Sequence, residues 1–464
     1  MNRLVPPTIL LLASCLAAQP GPPVALTFDG PGQGKTALAW SPDGDRIAYP
    51  YGRPWASWVA TVPAIGGAWT VLTPPQVMPI CGQTIHWSPD TQLIYFRQVN
   101  QFSIAPGEGV PSRIPSTGLN APFPLSAVQT HELALSPNGR RLLYVFGDIF
   151  SASERGLGHI HLPSLTEQSL IPPANPGLWY IEFLPFGLFA SFYDNALHRF
   201  QLLTPVGLRT VFAAPPACYG ARLRWSPDAE RLSMQSPCFN NNWDVRWVRP
   251  FDSTIRFLNM AAPAGSVYWS PAGTHVAFLT AGNVALVEVP SGRLVTVQAG
   301  GLAVSWISWS PFSDEIAWIG TPTPGGYPEI YKASTGLPPT PAVIGDLTPG
   351  STNRVRLNVP ADASFPYVLA ASLGTTPGIP TPRGTIPLNP DGLFLVSQLP
   401  SSVFQRFQGF LGPTGRADAT LAIPPGSALV GLRFFLGFVT WGPGPPGGLQ
   451  TISAARPVFV QPVD

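Results

Sequence analysis

The sequence predicts an all-β protein, a seven-bladed β-propeller followed by a small antiparallel β-sandwich. Three observations predict it. A proline frame recurs seven times, at Pro42, Pro89, Pro137, Pro185, Pro227, Pro271 and Pro311, with spacings of 40 to 48 residues. Apolar residues flank each proline with period two. Turn residues punctuate the whole chain: 58 Pro and 46 Gly among 464 residues. A repeat of about 40 to 50 residues marks a repeat architecture, and period two is the strand period.

Each copy reads as a hairpin. Four positions before the proline stand Leu38, Ile85, Leu133, Ile181, Leu223, Val267 and Ile307; two before stand Trp40, Trp87, Leu135, Phe183, Trp225, Trp269 and Trp309. Five and seven positions after it come pairs such as Ile47/Tyr49, Ile94/Phe96 and Ile316/Trp318. Between the arms lies a turn, best seen in Ser41-Pro42-Asp43-Gly44. Proline presets φ, aspartate bonds its own backbone, and glycine tolerates positive φ. The fourth copy, around Pro185, keeps only the apolar frame. Two further strands follow each hairpin, as in Val59–Val62 and Trp69–Leu72, or Val284–Val289 and Leu294–Val297. Four strands in such a unit make a propeller blade. Val24–Phe28 is expected to join the seventh blade as its outer strand, beside Glu329–Ala333 and Ala342–Gly345, so that both chain ends sew the ring shut.

The hairpin Trp40-Ser41-Pro42-Asp43-Gly44, with Ile47-Ala48-Tyr49 after it, resembles the WD-like repeat of TolB-type propellers. The likeness runs over residues 24–346, strongest in blades one, two and five and weakest in four. It implies a β-propeller fold. TolB propellers have six such repeats, which makes six blades the alternative to seven. Residues 347–464 form the second domain. Strands are expected at Val355–Val359, Tyr367–Leu373, Leu393–Val396, Ala417–Ile423, Leu429–Val439 and Val458–Val460. Pro387–Pro390 and Gly415–Ala417 resemble a module found on secreted bacterial proteins.

Residues 1–18 read as a signal peptide: basic Arg3, then an apolar stretch broken by Pro6 and Pro7. Leu12-Ala13-Ser14-Cys15 also resembles a lipobox, in which Cys15 would carry a lipid anchor. Both routes place the protein in the periplasm, on the cell surface or in the medium. An oxidising compartment permits disulfides, and Cys218 with Cys238 is the expected pair, leaving Cys81 over. No transmembrane span is expected. Net charge is +2, with no basic run beyond Arg140-Arg141, so a nucleic-acid partner is not expected.

Several motifs have plainer structural roles. Gly30–Thr36 mimics a phosphate loop, but it opens a strand where the phosphates need a helix N-terminus. His159 and His161 share a strand face as a metal pair would, yet on a third strand away from the axis; structural histidines are the better reading. No G-x-S-x-G elbow and no carboxylate pair on one strand face is present. The sequence therefore names no catalytic residue, metal ligand or cofactor. Function falls to loops joining strand two to three and blade to blade. From loop position alone, Arg53, Trp55, Arg155, Tyr219 and Trp243 are the expected binding residues. The leading expectation is a non-enzymatic exported propeller binding an envelope or extracellular protein, or a polysaccharide. The alternatives are a carbohydrate-active lyase or hydrolase working at the same face, and a purely structural envelope protein.

Overall fold

The computed structural model describes residues 20–28, 34–53, 56–74, 80–98, 109–147, 155–172, 178–187, 190–194, 199–204, 207–213, 222–237, 243–249, 254–262, 267–280, 282–289, 291–322, 326–443 and 448–463. Among them, seven consecutive four-stranded antiparallel sheets build a β-propeller. Blade one comprises Ala39–Trp40, Arg46–Arg53, Ala56–Pro63 and Thr70–Val71. The inner strands of the next five blades are Ile80–Trp87, Thr130–Leu135, Leu178–Phe183, Arg222–Trp225 and Tyr268–Trp269. Blade seven is sewn from both ends of the chain. Ala303–Trp309, Glu315–Thr321 and Glu329–Ser334 are joined by Val24–Ala25, which pairs with Lys332 and Tyr331. Leu26 N donates to Ile330 O, and buried Leu26 packs with Leu38 and Ile330.

The frame does two jobs. Its apolar positions fill the spaces between blades: Ile47, Tyr49, Ile94, Phe96, Ile316 and Trp318 are fully buried. Its polar positions build the turn. Ser41 Oγ donates to Asp43 Oδ1 at 2.6 Å and accepts from Arg46 N at 3.0 Å, while Asp43 Oδ1 accepts from Asp45 N. The pattern recurs at Ser88/Asp90, Ser136/Asn138 and Ser226/Asp228. Gly44 has φ 75°, and a Cβ there would strike the Phe312 ring. Thr91, Ala229 and Ser313 adopt the same left-handed φ without being glycine. The frame tryptophans also stitch blades together. Trp87, Trp269 and Trp309 donate their indole N–H to Ala39 O, Arg224 O and Tyr268 O of the preceding blade, each at 3.0 Å.

The second domain packs two sheets face to face. One runs Ala342–Ile344, Thr352–Asn358, Arg416–Ala422, Phe404–Gln405; the other runs Gln408–Phe410, Pro366–Ser372, Arg433–Trp441, Leu449–Ile452, with Arg456–Phe459 also on Arg433–Trp441. Val355, Leu357, Leu369, Leu436 and Phe438 form its core. Two expectations are corrected. Ala342–Ile344 does not belong to blade seven; it pairs with Arg354–Arg356 as the first sandwich strand, because Val24–Ala25 already takes the outer edge of that blade. Residues 393–396 are not a strand but lie in the helix Gly392–Ser397, started by Asp391, whose carboxylate accepts from Phe394 N at 2.9 Å.

The sandwich sits on the turn end of the propeller. Asp45 in blade one takes Arg356 and Arg416, at 2.8 and 2.6 Å. Glu230 in blade five takes Arg433 at 2.7 Å. Gly345 N reaches Pro89 O, Asn138 Nδ2 reaches Pro462 O, Gln461 Nε2 reaches Pro185 O, and Arg456 reaches Pro311 O. Turns from six of the seven blades thus touch the second domain.

Candidate functional site

The inner strands leave alternate positions free to face the propeller axis. The apolar frame uses the positions four and two before each proline. The intervening ones carry His86, Glu182, Arg224, Tyr268 and Ser308; one turn of the pleat further back come Thr84, Glu132 and Trp306. All eight line one axial cavity of about 400 Å³. Glu182 and Arg224, 22% and 35% exposed, owe that exposure to the cavity.

Most of these groups also bind the neighbouring blade. Glu132 Oε2 accepts from Ile181 N at 3.3 Å, and Glu182 Oε2 accepts from Trp225 N at 3.2 Å. A His86 ring nitrogen contacts Leu133 O at 3.2 Å. Trp306 donates to Leu38 O, and Ser308 Oγ accepts from Trp40 N, which closes the circle between blades seven and one. Arg224 lies 3.8 Å from Glu182 and over the Tyr268 ring. The bulge that brings Glu182 inward sits between Trp179 and Glu182, with Tyr180 at φ 53°.

Burial dominates the electrostatics. It pushes Glu182 up to about 7 and raises Glu132, against the pull of Arg224 on both. Burial, helped by Arg224, holds His86 down at about 4. Burial opposes the charge on Arg224, but Glu182, Tyr268 and Glu132 outweigh it and hold its pKa above the usual value. At neutral pH the cavity thus contains a neutral imidazole, a guanidinium and two carboxyl groups reluctant to ionise together.

The cavity is flanked on both sides. Towards the sandwich, a space of about 360 Å³ shares His86, Leu135, Pro137 and Pro185 with it. Five frame prolines rim that space, and Pro457, Val458 and Phe459 of the sandwich back it. Away from the sandwich, a pocket of about 100 Å³ shares Thr84 and Glu132 and adds Arg97, His131, Arg155 and Tyr180.

The expected loop residues fare differently. Arg155 is 3% exposed and lines that small pocket, so it is no surface anchor. Arg53 and Trp243 lie on strands, with side chains outside the described residues, and Trp55 and Tyr219 lie outside them altogether. The same holds for Cys15, Cys218 and Cys238. Lys35, of the phosphate-loop mimic, is buried and bonds Glu329 and Pro328 O in blade seven. His159 and His161 stand on the third strand of blade three, where Ser164 takes up His161. Among the described residues no three His, Cys, Asp or Glu side chains gather as a metal site would require. No described helix is long and apolar enough to cross a membrane.

The axial cluster is not legible along any one strand, because Glu132 and Glu182 come from neighbouring blades. The usable signal was a charged residue in the frame's inward slot: His86, Glu182 and Arg224 occupy a position that is alanine in blades one and three.

No protein-family model matches the sequence, and no curated protein does. Solved structures do resemble the fold. An oligogalacturonate lyase in complex with manganese matches with TM-score 0.52 at 12% identity, over 68% of this chain and 98% of its own. An oligogalacturonate lyase from Vibrio parahaemolyticus matches with TM-score 0.52 at 11% identity, over 67% and 93%. TolB from Acinetobacter baumannii matches with TM-score 0.40 at 11% identity, over 58% and 64%. At such identities the two lyases establish the propeller fold and nothing about chemistry.

Proposed function

We propose that this chain is an exported propeller that binds a protein or polysaccharide at the loop end of its ring, without catalysing a reaction. The observation that carries the reading is the seat of the sandwich. Six turns at one end of the ring are taken up by the second domain. The loop end, onto which the pocket of Arg97, His131 and Arg155 faces, is the end left to a partner. Around it, Arg53, Trp55, Tyr219 and Trp243 are proposed as anchors, since Arg and large aromatics carry most interface energy. Export, by plain secretion or through a lipid on Cys15, fits the N-terminal sequence and the paired cysteines proposed at 218 and 238. Immobilised full-length protein should retain a polysaccharide or an envelope protein from an envelope extract. Trp55→Ala and Tyr219→Ala should each weaken that retention about tenfold or more. Equal retention by parent and both variants would sink the loop-end reading.

One observation favours a second reading, catalysis on a carbohydrate. Glu132, Glu182 and His86 converge on one cavity, and a carboxyl group held up to about 7 stays partly protonated at neutral pH, as a general acid must. The manganese of the first lyase structure finds no matching ligand cluster among the described residues. New reducing ends from incubated oligosaccharides would select this reading.

A further inference from the structure

We infer that the axial cavity binds the end of an uncharged, hydroxyl-rich chain, a neutral oligosaccharide terminus. The inference rests on the loop-end reading and deepens it, by choosing polysaccharide over protein and by placing the terminal residue in the channel.

Size comes first. A volume of about 400 Å³ lies within the range of small-molecule sites, about 300–1,000 Å³. It cannot admit a folded surface. The space beyond it is backed by Pro457, Val458 and Phe459, so a ligand arriving from the loop end meets the second domain behind the cavity. A chain end fits this shape; the middle of a polymer does not.

The wall chemistry comes second. A ligand rich in hydroxyls needs donors and acceptors interleaved, with an aromatic surface for its C–H face. Glu132 and Glu182 accept from blade backbone through Oε2, and Glu182 Oε1 takes no hydrogen bond among the described residues. Thr84 Oγ1, on the wall shared with the smaller pocket, is buried and has no partner among them either. Trp306 and Tyr268 stand edge to face, with ring centroids 6.1 Å apart. These are convergent polar groups on an aromatic wall, the makeup of a small-ligand site.

Charge comes third. Arg224 acts on Glu182 and Glu132, and Arg97 acts on Glu132 as well, so both guanidiniums are already engaged with carboxyl groups. A uronate carboxylate would find no cation left over there and would have to shed its water beside two carboxyl groups that burial already makes reluctant to ionise. The cavity therefore selects neutral sugars over acidic ones.

The test is saturation-transfer NMR and calorimetric titration of the full chain with cellobiose, maltose, N,N′-diacetylchitobiose and digalacturonate. At least one neutral disaccharide is expected to bind, with digalacturonate about tenfold or more weaker. Glu182→Gln, which keeps an acceptor for Trp225 N but replaces the free acceptor, should weaken the neutral ligand about tenfold or more. Thr84→Val serves as the second variant should Glu182→Gln fail to fold, and should weaken binding severalfold. Preference for digalacturonate would overturn the inference, and so would unchanged affinity in the variants. If the disaccharides fail while an extract partner is still retained through Trp55 and Tyr219, the channel inference falls and the loop-end reading stands. If neither binds, both fall.

Discussion

Ser41 shows how one side chain holds a blade turn together. It is fully buried, donates to Asp43 and accepts from Arg46 N. Ser41→Ala leaves both groups short of a partner, and thermal unfolding should show a loss of about 1–3 kcal/mol; no change would mean the turn survives on proline and glycine alone. This chemistry was legible in the sequence because turn residues act locally. The inward-facing residues were not, because Glu132, Glu182 and Arg224 acquire meaning only when neighbouring blades bring them together. Glu182 offers a test by pH. Its carboxyl is held above its unfolded value, at about 7, so between about 4.5 and 7 the folded state binds the extra proton and stability falls as pH rises. His86 works in the opposite sense. Held at about 4, it makes stability rise as pH climbs from 4 through the ordinary histidine range. Asp314, raised to about 6 by burial, adds to the Glu182 trend. Comparing parent with Glu182→Gln removes the two shared contributions. The variant should gain relative stability from pH 5 to pH 8, and parallel melting curves at every pH would contradict the assignment.

Strands set the next scale. The seven hairpins could be read from period two and the prolines, because the same face of the strands is buried among the described residues: Ile47, Ile94 and Ile316 are each fully covered. The closing strand was legible for the same reason, as an unpartnered apolar run before the first hairpin. Two other stretches misled. Residues 393–396 are apolar enough for a strand, yet Asp391 caps a helix there, and short apolar runs do not distinguish the two. Ala342–Ile344 looked like a blade strand and became part of the sandwich, a choice decided by which edge was still unpaired. The closing strand carries a prediction. Leu26→Ala should cost the propeller about 2–4 kcal/mol, and deletion of residues 19–30 should lower the melting temperature further. A deletion variant melting like the parent would refute closure by this strand.

At the scale of the molecule, the second domain is what gives the ring two unlike ends. Its arginines meet acids on the turns: Arg356 and Arg416 at Asp45, Arg433 at Glu230. Asp45 and Glu230 are more than a third exposed, so each pair contributes at most about 1 kcal/mol. The double variant Asp45→Ala/Glu230→Ala should therefore unfold at a slightly lower temperature in calorimetry and lose most of the parent's sensitivity to salt; an unaltered salt response would mean that backbone bonds such as Gly345 N to Pro89 O do all the holding. Nothing in the sequence announced this docking, since Asp45 and Arg356 are 311 residues apart and each reads alone as a solvated charge. On the proposed reading, docking of the sandwich leaves the other end for a partner. Hydrogen exchange of the full chain, with and without the polysaccharide or protein it retains, tests that most directly. The expected result is protection at 84–86, 131–132 and 180–182, with none at 43–45, 138–140 or 228–230. Protection confined to those turn residues would contradict the account.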